Sequence, residues 1–276
     1  MPLRPDTWSL EQSVKQWILT YSEGTEMSIK LYARGPVTER AEGDPRRIAA
    51  QVSGEALRSF VVSPRQVHGK NIIRAEKNSS LPARPEADGL FIDKRGIIGS
   101  LQFADCLPVV VCGRFPRNWI VFGHSGFVGT GKNVVSAMLS HVMETCGPGS
   151  LEGATAWIGP GICRECYERR IEDPWTRWGM KVFPREYVIL KREKVHFDLP
   201  GMIEHQFLDY GIPKNAVSRI PYCTRCQNDV FYSYRAGDRQ RNFLLARIDH
   251  SGHKGSDSGE NDCSDLRVSS NPNFGV

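Results

Sequence analysis

At 276 residues with 40% apolar side chains, the chain has enough material for a sizeable core, in one large domain or two small ones. Its net charge of +5 is mild and spread along the chain instead of gathered into a basic arm, which gives no nucleic-acid signature and at most favours an anionic small molecule. No apolar stretch approaches the roughly eighteen residues that cross a bilayer, and Met1-Pro2-Leu3-Arg4-Pro5-Asp6 lacks the apolar centre of a signal peptide, so the expected compartment is the cytoplasm.

Residues 9–24 support two readings. Ser9-Leu10-Glu11-Gln12 looks like a capping box, with Leu10, Val14, Trp17, Ile18 and Tyr21 on one helical face; Trp17-Ile18-Leu19-Thr20-Tyr21 is also rich in β-formers and stops at Ser22-Glu23-Gly24. A strand follows at 28–32, then a loop over 34–40, then a helix opened by Asp44 as cap and Pro45 in its first turn. Strands at 58–67, 70–75, 88–92, 96–104, 107–112 and 118–123 make the first half β-rich. Lys132 to Met143 has helical spacing, which would set a helix N-terminus near His124. A strand at 154–158, helices around 173–180 and 200–209, and strands at 217–221, 229–235 and 243–248 complete the ordered part. From His250 onward Ser, Gly and Asp content rises and periodicity ends, which predicts a disordered tail over 250–276. Strands mixed with helices, without regular alternation, argue for an α+β fold.

Three short segments attract chemistry. Gln66-Val67-His68-Gly69, Ala104-Asp105-Cys106-Leu107-Pro108 and Gly123-His124-Ser125-Gly126 each follow a strand-like run, and loops at strand ends are where reactive groups are displayed. Two imidazoles and a thiolate suit zinc, and three protein ligands leave a fourth position for water or substrate. The spacing matches no compact finger, so on spacing alone packed or surface residues are the commoner reading. The same three groups also allow a copper centre, given a weak axial ligand such as Met, or a metal-free Cys106 nucleophile with His68 or His124 as its base. His141, His196, His205, His250 and His253 lack ligand spacing and read as packed or surface histidines.

Two further patterns stand out. Cys163-Arg164-Glu165-Cys166 and Cys223-Thr224-Arg225-Cys226 are C-x-x-C pairs, but they lie farther apart than in compact zinc ribbons, so buried or incidental thiols are expected ahead of a four-cysteine site. Gly126 to Lys132 fits the G-x-x-x-x-G-K pattern of a phosphate loop, yet Asn133 stands where Ser or Thr would hold magnesium. What survives of that pattern is Lys132 beside a helix N-terminus, a means of holding phosphate.

Gln66-Val67-His68-Gly69, Ala87-Asp88-Gly89, Ala104-Asp105-Cys106-Leu107-Pro108, Gly123-His124-Ser125-Gly126, Ile158-Gly159-Pro160-Gly161-Ile162 with Cys166-Tyr167-Glu168, and Cys223-Thr224 with Phe231-Tyr232-Ser233-Tyr234-Arg235 occur in that order. In this the chain resembles the laccase-domain or polyphenol oxidase family, whose members are also described as zinc-dependent purine nucleoside phosphorylases. The resemblance covers about residues 16–248 and implies a single domain of packed mixed β-sheets with helices outside, spanning 16–249 after an N-terminal extension over 1–15. It implies a strand over 16–21. It places the metal ligands on His68, Cys106 and His124, with zinc as the metal.

The implied substrates are a purine nucleoside and phosphate, yielding base and ribose 1-phosphate, with adenosine deamination and methylthioadenosine phosphorolysis as related activities. Zinc with an open position makes deamination the reaction the metal explains best. Candidate substrate or phosphate contacts are Arg65, Gln66, Asp88, Asp105, Lys132 and Arg235, with Arg241 of the same kind. Asp88 and Asp105 read equally well as turn or cap residues and as carboxylates that orient a ligand or substrate from behind. The chain departs from the family in one respect that bears on phosphate: H-A-G-W-R-G becomes His124-Ser125-Gly126-Phe127-Val128-Gly129, so an Arg is replaced by Val128. Tyr21 and Lys30 stand where the family carries an earlier Arg and Asn. A metal-binding protein without catalysis is the remaining reading.

Overall fold

The computed structural model describes residues 8–22, 26–53, 60–77, 84–249 and 267–268, and its fold is α+β. Sheet one has seven strands: β1 (Trp8–Ser13), β2 (Gln16–Ser22), β3 (Met27–Tyr32), β4 (Val61–Val62), β7 (Ile98–Phe103), β15 (Asn242–Ile248) and β16 (Arg267–Val268), in the order β16-β1-β2-β3-β15-β7-β4. Sheet two contains β5 (Ile72–Arg74), β6 (Gly89–Ile92), β8 (Leu107–Gly113), β9 (Trp119–Ser125), β10 (Thr155–Ile158) and β14 (Val217–Arg219), ordered β14-β10-β8-β9-β6-β5. A small sheet of β11 (Glu168–Arg170), β13 (Lys194–Phe197) and β12 (Val188–Lys191) lies at one side.

The alternation of side chains along each strand explains the layering. In β8 and β9, Val110, Cys112, Ile120 and Phe122 face sheet one, meeting Leu19, Ile29, Leu31, Leu101 and Leu244 in the core between the sheets. Val109, Val111, Trp119 and Val121 point the opposite way, into a second core made with helices α4 (Val134–Cys146) and α6 (Leu199–Asp209). Sheet two is therefore covered on both faces, which is why its strands read as unbroken apolar runs. Sheet one is covered outside by α1 (Pro36–Ala41) and α2 (Pro45–Ser53), through Ala41, Ile48 and Ala49 against Tyr32, Ile98, Phe243 and Leu245. Two shorter helices, α3 (Phe127–Gly131) and α5 (Pro174–Val182), lie near the end of β9. No described helix is long and apolar enough to cross a membrane.

Several expectations need correcting. The stretch around Ser9 to Gln12 is strand β1, paired with β2 through a tight turn at Val14 and Lys15, both with positive φ. The expected loop at 34–40 contains α1. Of the strand expected over 58–67, residues 58–59 lie outside the described residues and the rest forms strand only at Val61–Val62, while 217–221 ends at Arg219. No strand forms over 229–235: the carboxamide of Asn242 takes the Tyr232 N–H and donates to the Tyr232 carbonyl, and Asp238 accepts from Ser233 N, so side chains replace a ladder. The helix expected from Lys132 begins at Val134, capped by Asn133, and α3 stands between it and His124. Of the expected tail, 250–266 and 269–276 lie outside the described residues, and Arg267–Val268 pairs with β1.

Candidate functional site

One buried carboxylate organises two of the three candidate ligands. Asp88, just before β6, accepts N–H groups from Val67 at 3.1 Å, His68 at 2.9 Å and Gly69 at 2.6 Å, closing the turn in which His68 takes a left-handed φ of 59°. The same carboxylate meets His124 Nδ1 at 2.9 Å, which turns the other ring nitrogen toward the site, the arrangement that fixes an imidazole as a metal ligand. His124 is the penultimate residue of the buried strand β9, and its N–H donates to the Asp88 carbonyl at 2.7 Å. Burial alone would raise the Asp88 pKa, but the His124 ring and the amides of Gly69 and Val67 outweigh it and hold the carboxyl below its ordinary range.

Cys106 sits in the turn between β7 and β8, aimed by Asp105 at φ 84°. Asp105 is an anchor for surrounding loops. Its oxygens accept from Thr224 Oγ1 at 2.7 Å, Ser233 Oγ at 2.6 Å and Arg235 N at 2.7 Å, while its carbonyl accepts Ile162 N at 2.8 Å. Burial works to raise the Cys106 pKa, but the neighbouring His124 and His68 bring it down to about 6. Burial works to lower His124, which Cys106 and then Asp88 bring up to about 9.

The donor atoms of His68, Cys106 and His124 all lie within 4.8 Å of one another. Gly126 is what leaves room for the sulfur: a Cβ there would fall 2.6 Å from Cys106 Sγ. Two imidazole nitrogens and a thiol at this separation, with the Asp88 brace behind them, fit a metal ion with three protein ligands.

The three groups lie in a pocket of about 560 Å³. Aromatic rings of Tyr167, Trp175 and Tyr234 line it, together with the guanidinium-bearing Arg169, Arg235 and Arg241. Arg235 lies over the Tyr167 ring and donates to the Glu168 carbonyl at 3.0 Å; Arg169 lies over Phe127 and pairs with Asp173.

The other residues singled out in the sequence divide clearly. Gln66 lines the pocket, but its amide is engaged on both sides with the Gln102 backbone. Asp88 and Asp105 spend their oxygens on the protein, holding His68, His124 and the surrounding loops in place. Arg65 is exposed, ion-paired with Glu86, and not part of the pocket lining. Lys132 is exposed past the end of α3 and also absent from the lining, which removes the phosphate-loop reading. Val128 does line the pocket; Lys30 lines a different groove, and Tyr21 is in the core. Arg169 and Trp175 went unnoticed in the sequence. Arg169 follows Tyr167 by two residues, and Trp175 is half-exposed in the first turn of α5 behind the Asp173 cap, which are the signals that mark them. His141, His196 and His205 stay outside the site. The two C-x-x-C pairs, for which buried or incidental thiols were expected ahead of a four-cysteine site, come together in space.

Comparisons with known proteins give the family and the fold. A profile of the family described as multi-copper polyphenol oxidoreductase laccase matches residues 35–245. Among curated proteins, purine nucleoside phosphorylase YlmD of Geobacillus stearothermophilus is 29% identical over 197 residues, covering 66% of this chain and 69% of that protein. A Rickettsia conorii purine nucleoside phosphorylase is 29% identical over 151 residues, 53% of this chain, and the match spans only 59% of that protein's length. Adenosine deaminase RL5, from an unknown prokaryotic organism, is 25% identical over 204 residues, 70% of this chain and 75% of that protein. The crystal structure of YlmD from Geobacillus stearothermophilus superposes with a TM-score of 0.70 at 21% identity, over 88% of this chain and 100% of its own. With most of its length matched and its fold shared, the chain belongs to the multi-copper polyphenol oxidoreductase laccase family.

Proposed function

We propose that this chain is a zinc-dependent enzyme that processes purine nucleosides, with phosphorolysis as its principal reaction. The observation that carries the reading is the convergence of His68, Cys106 and His124 in a pocket walled by aromatic rings and three arginines. Relatives called purine nucleoside phosphorylase and adenosine deaminase support the same substrate class. Zinc held by the three ligands would supply Lewis acidity at the floor of the pocket.

The surrounding residues do the rest. Tyr167, Trp175 and Tyr234 offer faces for a purine ring, and Arg235 and Arg241 supply fixed positive charge for phosphate. Phosphate oxygen attacks the anomeric carbon, the glycosidic C–N bond breaks, and the base leaves with the bonding pair and takes up a proton. Deamination is the second activity. Zinc deaminases use a glutamate beside the metal as general acid and base, whereas Asp105 is the only carboxylate in this lining and its oxygens are committed to Thr224, Ser233 and Arg235. Copper fits less well, because no methionine sulfur lines the pocket among the described residues.

The test is incubation with inosine or adenosine, with and without phosphate, separating nucleosides from bases. Free base and ribose 1-phosphate should form only with phosphate, and His124→Ala should abolish both. Conversion of adenosine to inosine without release of base would overturn phosphorolysis as the principal reaction.

A further inference from the structure

We propose that Cys163, Cys166, Cys223 and Cys226 hold a second zinc ion, in an all-thiolate tetrahedral site that staples the β10–β11 turn to the loop following β14. The four sulfurs lie within 4.8 Å of one another, and Cys166 Sγ is 3.5 Å from Cys226 Sγ. A tetrahedral zinc with Zn–S bonds of about 2.3 Å sets its sulfurs about 3.8 Å apart. A disulfide would require about 2.05 Å. The cluster thus has the separation of ligands around one ion, not of covalent partners.

The backbone around it is also built as a pair of metal knuckles. Each C-x-x-C forms a tight turn: Cys166 N and Tyr167 N both donate to Cys163 O, and Gln227 N donates to Cys223 O. Cys163 N donates to Cys223 Sγ at 3.3 Å, the kind of N–H to sulfur bond that steadies a thiolate. Gln227 Oε1 accepts Cys223 N at 2.7 Å, and the His196 ring nitrogen donates to Arg164 O at 3.1 Å, bracing the turns from outside. Arg225 reaches the Cys166 carbonyl, bringing positive charge to a site whose four thiolates leave two negative charges unbalanced by a divalent ion. The two pairs are 60 residues apart in sequence, and the parallel pairing of β10 with β14, continued at Gly161 and Cys223, sets them side by side.

The staple bears on the candidate active site without belonging to it. Ile162, next to Cys163, and Thr224, inside the second pair, both hydrogen-bond Asp105, which aims Cys106. Tyr167, next to Cys166, lines the pocket. Zinc in the cysteine cluster would hold both loops at the pocket wall.

The experiment is elemental analysis of the full chain purified without added metal. Wild type should carry about two zinc per chain, and both Cys166→Ser/Cys226→Ser and Cys106→Ala/His124→Ala should carry about one. Cys226→His, which keeps a zinc-binding group, should retain the ion that the serine variants lose. Should the serine variants fail to fold, the Cys106→Ala/His124→Ala chain supplies the readout: cobalt substitution should give the absorption of a tetrahedral tetrathiolate, and mercurial titration should release one zinc for four thiols. Unchanged zinc in Cys166→Ser/Cys226→Ser, iron in place of zinc, or a disulfide within the cluster of the native chain would overturn the proposal. Loss of zinc only at His124 and Cys106 would do the same, while leaving the proposed function standing.

Discussion

Gly126→Ala tests the metal centre by steric means alone. Gly126 has extended backbone, φ −86° and ψ −177°, so alanine is conformationally allowed there and its whole effect comes from the added Cβ. That atom would fall 2.6 Å from Cys106 Sγ and 3.3 Å from His68 Cδ2. Comfortable contact between such atoms is about 3.5–4.0 Å, so the thiol must retreat by about 1 Å. Overpacking of this kind costs about 1–3 kcal/mol. If the cost falls on ligation, zinc affinity at this centre drops about 5- to 150-fold, at about 1.4 kcal/mol per tenfold. Competition against a chromophoric chelator measures it. The control is thermal melting in excess chelator, comparing Gly126→Ala in the native chain and in Cys106→Ala, where the nearest cysteine atom left is Cβ at 3.6 Å. The penalty should be several degrees in the first background and clearly smaller in the second, where only the His68 contact remains, a coupling expected for groups in contact. Undiminished affinity, or the same melting penalty in both backgrounds, refutes the placement of the thiol.

Two further expectations concern Val128 and Asp93. Val128 lines the pocket where the family carries Arg, so Val128→Arg should raise phosphate-dependent cleavage of inosine more than adenosine deamination; one charged hydrogen bond is worth about 1.5–3 kcal/mol, or about ten- to a hundredfold. An unchanged ratio in the base-release assay would mean that Arg235 and Arg241 already saturate the phosphate site. Asp93 has a buried side chain between Arg74 and Arg117; burial pushes its pKa up, but the two guanidinium groups outweigh it and hold it below the ordinary carboxylate range. Its contribution to stability is therefore complete above an unfolded pKa of about 4 and drains away as pH falls through the lower folded value. Asp93→Asn should melt several degrees below wild type at pH 7, for a loss of about 2 kcal/mol after allowing for the half-exposed arginines, and the gap should close in acid. A gap that stays constant from neutral pH to acid contradicts this account.

The parts of this protein that were legible in the sequence are those in which local pattern and tertiary role coincide. The apolar runs Leu107–Cys112 and Trp119–Phe122 in β8 and β9 are unbroken because both of their faces are covered, and Cys106 and His124 sit beside the ends of those runs. The stretch from Phe231 to Tyr234 misled for a physical reason: its residues favour strand, but the carboxylate of Asp238 and the amide of Asn242 supply the bonds a neighbouring strand would have made. For Asp88 and Asp105 the sequence leaves a turn or cap role and the orienting of a ligand equally open, because motif position does not reveal which way a carboxylate turns. Arg169 has only the weak signal of its place after Tyr167, because it is the fold that brings β11 against Phe127. The cysteine pairs were judged by their separation along the chain, which the pairing of β10 with β14 makes irrelevant.

The three candidate ligands are mounted with very unequal firmness. Every residue of β8 and β9 is buried, so the amides leading away from Cys106 and up to His124 belong to the part of the molecule that opens last to hydrogen exchange. His68 is exposed on a turn tethered through backbone bonds to Asp88. An ion at this centre would therefore enter and leave by displacement of His68, a local opening far cheaper than unfolding. The lifetime of the bound metal would follow the motion of that turn, and a substitution that lowers the melting temperature elsewhere would leave it unchanged.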